Sequence, residues 1–323
     1  MRVRAGAVMT AAFLASTLIS TLALSACSAV TGGIGPDQAR RGQPLAVAPG
    51  AGSSYDKVLL LVEEDKSFAE VMDRFDTPYL HSLAAQYGLA TQMQAGYPIE
   101  CPGLPAYLLL TSGDTHQICD DRDPTGQWLD TPNLFEQVAS AGLQWRGYAE
   151  SMPAPCTPVN SGHGVFLVRH TPAAYYSSER QRCRNWQLPL GTPQAGAFQA
   201  DLAAGLPAFS MVTPDACHNW QGLPPCPENA AVAGDDWLST WVPRILASPD
   251  YTAGRLVVII TWDEGSETDN HIATVVLSPT TQGVASAQPY THCSTLRTIE
   301  EILGLPLIGC AAAAPSMRVD FRL

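Results

Sequence analysis

Charge is scarce in this 323-residue chain: Asp, Glu, Lys and Arg together make up 15% of it, well under the roughly 25% of an average soluble domain. Positive charge is scarcest. Lys and Arg number 18 against 30 Asp and Glu, a net charge of -12. An acidic chain repels phosphate backbones, which argues against general nucleic-acid binding, so no nucleic-acid partner is expected. No C-x-x-C spacing occurs among the nine Cys, which argues against a cysteine metal site. No internal repeat and no interrupting linker follows residue 54. What is plentiful is apolar: 46% of the chain is hydrophobic, with 26 Gly and 26 Pro. That density of Gly and Pro excludes coiled coils and long solenoid helices. A chain of this size buries roughly three quarters of its unfolded surface, ample for a sizeable core.

The N-terminus reads as an export signal. Arg2 and Arg4 precede an apolar stretch from Ala5 to Ala26, too short and too diluted by Thr and Ser for a membrane span. It ends in Leu24-Ser25-Ala26-Cys27, similar to the bacterial lipobox, in which the Cys carries lipid. The expectation is a signal peptide over 1–26, a flexible Gly/Pro-rich tether over 27–54, and a folded domain over 55–323. The protein would be exported and held on the outer face of the cell membrane through lipidated Cys27. Eight Cys then remain, at 101, 119, 156, 183, 217, 226, 293 and 310. An even count in an exported chain implies disulfides. Many connectivities are open, and pairing of sequence neighbours is the simplest.

Within the folded part, Val58–Val62 is a continuous apolar run, as in a strand buried on both faces, and Leu256–Trp262 reads as a second strong buried strand. Leu143–Ala149, Ala208–Val212 and Ile272–Leu277 read as further strands. Ser67-Phe-Ala-Glu70 is a capping-box pattern opening a helix. Other helices are expected over Pro78–Tyr87 (stopped by Gly88), Phe135–Ala141, Trp237–Ala247 (started by Asp235 and Asp236) and Thr291–Leu303. Strands alternating with helices predict an α/β domain, with a mostly parallel central sheet covered by helices on both faces.

In open α/β sheets, sites form outside the carboxyl ends of strands. The two strongest strands end there in acids, Glu63-Glu64-Asp65 and Asp263-Glu264. Clustered carboxylates repel one another unless neutralised. A divalent cation does so, and hard oxygen ligands suit Mg²⁺, Ca²⁺ or Mn²⁺, with Zn²⁺ open if His joins. The alternative is that these acids cap helices or face solvent. They lie about 200 residues apart, a separation across which spacing alone does not show contact.

A series of segments occurs in order: Glu63-Glu-Asp-Lys-Ser-Phe68, Cys101-Pro-Gly-Leu-Pro-Ala-Tyr-Leu-Leu-Leu-Thr-Ser-Gly113, Trp145-Arg-Gly-Tyr-Ala-Glu150, Arg169-His-Thr-Pro172, Val212-Thr-Pro-Asp215, Gly234-Asp-Asp-Trp-Leu238, Thr261-Trp-Asp-Glu-Gly265, Asn270-His271 and His292. Spanning residues 56 to 306, this series resembles the bacterial phosphoesterase family of the alkaline-phosphatase superfamily, which includes acid phosphatases and phospholipase C-like enzymes. The resemblance implies an alkaline-phosphatase-like fold and a metal held by Glu64, Asp65, Asp263 and Glu264. It further implies a phosphate-ester or phospholipid substrate attacked by a Ser at a helix N-terminus, with helix dipole and metal stabilising the charge. His292 and His170 are the His positions it favours for catalytic contact.

The chain departs from the family pattern at the reacting positions. The nucleophilic Ser falls on Gly103, a phosphate-contacting Asn on Ala106, and a C-x-D-M-H-D tract appears as Cys217-His-Asn-Trp-Gln-Gly222. Glycine has no side chain to attack with. Three readings stay open: a hydrolase using metal-activated water or a recruited Thr111 or Ser112, a degenerate member binding a phosphate ester or metal without turnover, and an envelope interaction protein keeping only the fold. Among the remaining candidates, His218, His271, His116 and His163 are possible cleft residues, His81 reads as structural, and Asp215 as a second cation ligand or a turn residue.

Overall fold

The computed structural model describes residues 55–161, 164–226 and 228–323. The expected signal peptide, Cys27, the tether and His163 lie outside the described residues. Among these residues, no helix is long and apolar enough to cross a membrane.

The strands are β1 (Lys57–Glu63), β2 (Gly88–Gln94), β3 (Trp145–Ala149), β4 (Gln187–Pro189), β5 (Phe209–Thr213), β6 (Leu256–Trp262), β7 (His271–Leu277), β8 (Val284–Ser286) and β9 (Tyr290–Thr291). They form one sheet in the order β4-β3-β5-β1-β6-β7-β2-β8, with β9 beside β2. The sheet is mostly parallel, as expected. The exception is β7, antiparallel to both β6 and β2. Strands β1 and β6 lie side by side in its middle. Val58–Val62 and Leu256–Ile260 are fully buried, each large aliphatic side chain contributing roughly 1.5–3 kcal/mol over exposure.

The helices are α1 (Phe68–Met72), α2 (Pro78–Gln86), α3 (Leu104–Ser112), α4 (Leu134–Ser140), α5 (Arg180–Trp186), α6 (Ala197–Ala204), α7 (Ala230–Leu246), α8 (Pro249–Thr252), α9 (His292–Leu303) and α10 (Arg318–Phe321). They group around the sheet: α3, α4 and α9 pack together, and α2, α6, α7 and α8 form a second set. Helix α3 is mostly apolar and every residue in it is buried, as a helix without a solvent-facing polar stripe must be.

The capping box at Ser67 forms, with the Glu70 carboxylate accepting the Ser67 N–H at 2.9 Å. Two other local expectations are corrected. Gly88 does not stop α2 as a left-handed cap; it is the first residue of β2. A Cβ there would lie 2.6 Å from the Phe321 ring, so its role is space. Asp235 and Asp236 do not start a helix at Trp237, because α7 already begins at Ala230, where Asn229 accepts from Val232. Asp235 instead caps a different helix: its two oxygens accept the Tyr79 and Leu80 N–H groups of α2 at 3.0 and 2.7 Å.

All four neighbour pairs of Cys are disulfides: 101–119, 156–183, 217–226 and 293–310. The first ties the loop entering α3 to the loop that carries Asp121.

Candidate active site

The two acid motifs meet. Parallel pairing of β1 and β6 sets Glu63 beside Trp262, so the residues that follow leave the sheet together. Asp263 N–H donates to the Glu63 carbonyl at 2.8 Å, and Asp263 Oδ1 accepts the Asp65 and Glu264 amides at 3.1 and 2.7 Å. Asp65 takes a left-handed conformation, φ 53°, sparsely used by non-glycine residues but tolerated by Asp. The Ser67 hydroxyl accepts the Ser266 and Glu267 amides at 2.9 and 3.0 Å, fastening the loop after β6 to the loop after β1.

Ligand oxygens of Glu64, Asp65 and Asp263 lie within 4.8 Å of one another. Asp263 Oδ2 is buried and has no hydrogen-bond partner. A buried carboxylate oxygen left unpaired is costly, and a hard cation satisfies it. The donor set therefore fits a divalent metal. Glu264 is not in this three-carboxylate group; its Oε2 accepts the Tyr97 hydroxyl at 2.6 Å.

The charges divide unevenly. Burial raises the pKa of Asp263 well above the ordinary range, and the charges of Glu64 and Glu264 add to it. Burial likewise carries Glu264 up to about 9. Burial would also raise Glu64, but the charge and hydrogen bonding of His170, with Arg169 and Tyr107, outweigh it and hold that carboxyl at about 2. His170 Nε2 stands 2.9 Å from Glu64 Oε1 as an ion-pair contact, and its ring stacks on Tyr107 at 5.3 Å. The Tyr107 hydroxyl donates to the same oxygen. Arg169 reaches Glu64 Oε2 at 3.5 Å, Gln221 Oε1 at 3.3 Å and Asp121 Oδ2 at 3.4 Å.

Helix α3 aims its N-terminus at this cluster. Gly103 is its N-cap in ordinary right-handed geometry, φ -56°, so no backbone strain demands glycine. Space does: a Cβ there would lie 2.7 Å from Asp263 Oδ2, 3.4 Å from Arg169 Nε and 3.7 Å from Glu64 Oε2. The first-turn donors expected to serve a phosphate are largely committed. Leu104 N–H goes to Asp121 Oδ1 at 3.0 Å, Pro105 has none, and Ala106 N–H goes to the Gly103 carbonyl.

Thr111 and Ser112 lie at the opposite end of α3, buried, with hydroxyls donated back to the Tyr107 and Leu108 carbonyls at 2.6 and 2.8 Å. They are not available as recruited nucleophiles. His292 is fully buried; its Nε2 contacts the Asp263 carbonyl at 2.6 Å, and burial lowers its pKa to about 4, leaving the ring neutral. It braces the Asp263 backbone. His271 contacts the Thr91 carbonyl and stacks on Phe68, His81 contacts the Val71 carbonyl, and His116 pairs with Ser112.

Asp215 and His218 form a second group with Glu150, also within 4.8 Å. It is satisfied internally: Glu150 Oε2 accepts from His218 Nδ1 at 2.9 Å and from the Asp215 amide, and Asp215 takes the Ser151 hydroxyl and the Cys217 amide.

Tyr97, Tyr107 and Asp121 are site residues that sequence reasoning passed over. Tyr107 had a usable signal: it lies four residues after Gly103, hence on the same helix face. Asp121 becomes legible only once Cys101 is known to pair with Cys119.

A mostly parallel sheet thus carries an acid cluster at the carboxyl ends of two adjacent strands, facing a helix N-terminus, which is where open α/β sheets place their sites. The chain belongs to the Phosphoesterase family, whose model matches residues 52–306. It is 27% identical over 273 residues to a phosphatidylinositol-3-phosphatase of Mycobacterium tuberculosis, covering 84% of each protein. Its fold is similar to that of an alkaline phosphatase superfamily protein from Vibrio parahaemolyticus (TM-score 0.54, 14% identity, 83% of this chain and 73% of that one). The lipoteichoic acid synthase LtaP from Listeria monocytogenes is also similar (TM-score 0.51, 10% identity, 81% and 75%).

Proposed function

We propose that the chain is a metal-dependent hydrolase of phosphoric esters, exported and lipid-anchored at the cell envelope through Cys27. One observation carries the reading. Glu64, Asp65 and Asp263 converge within 4.8 Å, and Asp263 Oδ2 is buried without a partner.

Glu64, Asp65 and Asp263 hold the metal, with Glu264 beside them; Ca²⁺, Mg²⁺, Mn²⁺ and Zn²⁺ are the candidates. A bound divalent cation supplies Lewis-acid stabilisation of charge on a phosphoryl oxygen. Arg169 and His170 keep Glu64 ionised in a buried setting, and Arg169 also brings a fixed positive charge to the cluster. Tyr107 orients Glu64 through its hydroxyl, and His292 holds the Asp263 backbone. The name of the mycobacterial relative puts a phosphoinositide among the first substrates to try.

The test is phosphate release from para-nitrophenyl phosphate, bis(para-nitrophenyl) phosphate and phosphatidylinositol 3-phosphate, across pH, with each cation in turn. Metal-dependent turnover that Asp263→Ala abolishes supports the reading; turnover that survives Asp263→Ala sinks it. Cys27→Ala should shift the protein from the membrane to the soluble fraction if the anchor is lipid. Gly103 favours a second reading, a binder without turnover. Metal-dependent binding of phosphate with no ester cleaved would select it.

A further inference from the structure

Resting on the hydrolase reading above, we propose that this chain cleaves its ester by direct in-line attack of water, with inversion at phosphorus and no phosphorylated side chain. The helix residue that faces the acid cluster, Gly103, offers no nucleophile, and the site is closed around that absence. The position a Cβ would take is 2.7 Å from the unpartnered, buried Asp263 Oδ2, closer than real Cβ contacts come. A side chain there would collide with the carboxylate.

The hydroxyls around the cluster are committed elsewhere. Tyr107 and Tyr97 donate to Glu64 and Glu264. Ser67 and Ser266 pair with each other at 3.0 Å, and Ser67 also holds two backbone amides. Thr111 and Ser112 are spent at the far end of α3. The His170 ring nitrogen Nε2 is held against Glu64, and His292 is enclosed. With these side chains committed and Gly103 offering none, water is the nucleophile left to the site.

The step balances with solvent alone. The water oxygen forms a bond to phosphorus as the bond from phosphorus to the ester oxygen breaks. The attacking water loses a proton to bulk solvent, and the departing oxygen takes one from it, giving the alcohol and inorganic phosphate.

The experiment uses the full chain in its cation-loaded form and reads stereochemistry. A para-nitrophenyl phosphorothioate, made chiral at phosphorus with two oxygen isotopes, is hydrolysed in water enriched in the third. Inversion is expected, and acid-quenched protein turning over radiolabelled ester should carry no phosphate. Retention of configuration, or label trapped on any side chain, overturns direct attack while leaving the hydrolase reading intact. Release of no phosphate with any of the cations overturns both.

Discussion

His170 Nε2 stands 2.9 Å from Glu64 Oε1, and both side chains are buried. That contact is the first reason Glu64 stays ionised at the centre of an acid cluster. Removing one partner of a buried charge strands the other, at about 1–3 kcal/mol or more. His170→Ala should therefore lower the melting temperature in EDTA. A divalent cation on Glu64 would take the place of the lost contact, so the rise in melting temperature on adding Mn²⁺ should be larger in His170→Ala than in the unmodified protein. Thermal unfolding with and without Mn²⁺ decides it; equal rises would mean that His170 does not share Glu64 with the metal.

Asp235 carries a second, purely structural consequence. Its oxygens satisfy two first-turn amides of α2 from another helix. Loss of a helix N-terminal cap costs about 0.5–2 kcal/mol. Asp235→Ala should lower the urea midpoint accordingly, and Asp235→Asn, which keeps one acceptor, should lower it less. Equal midpoints for Asp235→Ala and the unmodified chain would remove the capping role.

His218 predicts a pH dependence of stability. Its hydrogen bonds to Asp215 and Glu150 raise its pKa from 6.5 to about 10. Below about 6.5 the imidazole is protonated in both folded and unfolded chains, so the ion pair contributes in full. As pH rises from about 6.5 to about 10, the unfolded chain gives up its proton while the folded chain keeps it, and the contribution declines across that window. The side chain is 39% exposed, so screening limits the effect to about 1 kcal/mol or less. His218→Gln should flatten the fall in melting temperature over that range. A variant whose profile falls as steeply as the parent's would assign the pH dependence elsewhere.

Much of this fold was legible because its central elements are locally overdetermined. The runs at Val58–Val62 and Leu256–Ile260 contain no polar residue, as in strands covered on both faces. The disulfides follow chain order, with separations of 9 to 27 residues. The reversed direction of β7 was not legible, since an apolar run carries no sign of its direction. Strand β2, Gly88–Gln94, mixes Thr and Gln with small residues and has no clean period. Asp235 misled because its partners in α2 lie 155 and 156 residues away in the chain, whereas capping rules look only at neighbours. At the site, the acids were readable as strand-end pairs, and the register of β1 on β6 explains why they meet. The supporting Tyr97 and Asp121 act only through tertiary contact.

Gly88 gives the sharpest packing test. It pairs with Val276 on one side and Val284 on the other, and its ideal Cβ position lies 2.6 Å from Phe321 Cδ1 and 2.7 Å from Thr281 Cγ2. Both neighbours belong to buried residues, so neither has solvent to retreat into. Gly88→Ala should cost about 1–3 kcal/mol through overpacking. Phe321→Ala should cost about 3–5 kcal/mol by opening a cavity. If the Phe321 ring is the main obstacle, the two changes partly compensate: adding the methyl group to the Phe321→Ala background should cost less than in the parent, with Thr281 Cγ2 accounting for the remainder. Urea unfolding of the four proteins in that cycle measures the coupling. A full Gly88→Ala penalty in the absence of the Phe321 ring would show that the ring is not what requires glycine there.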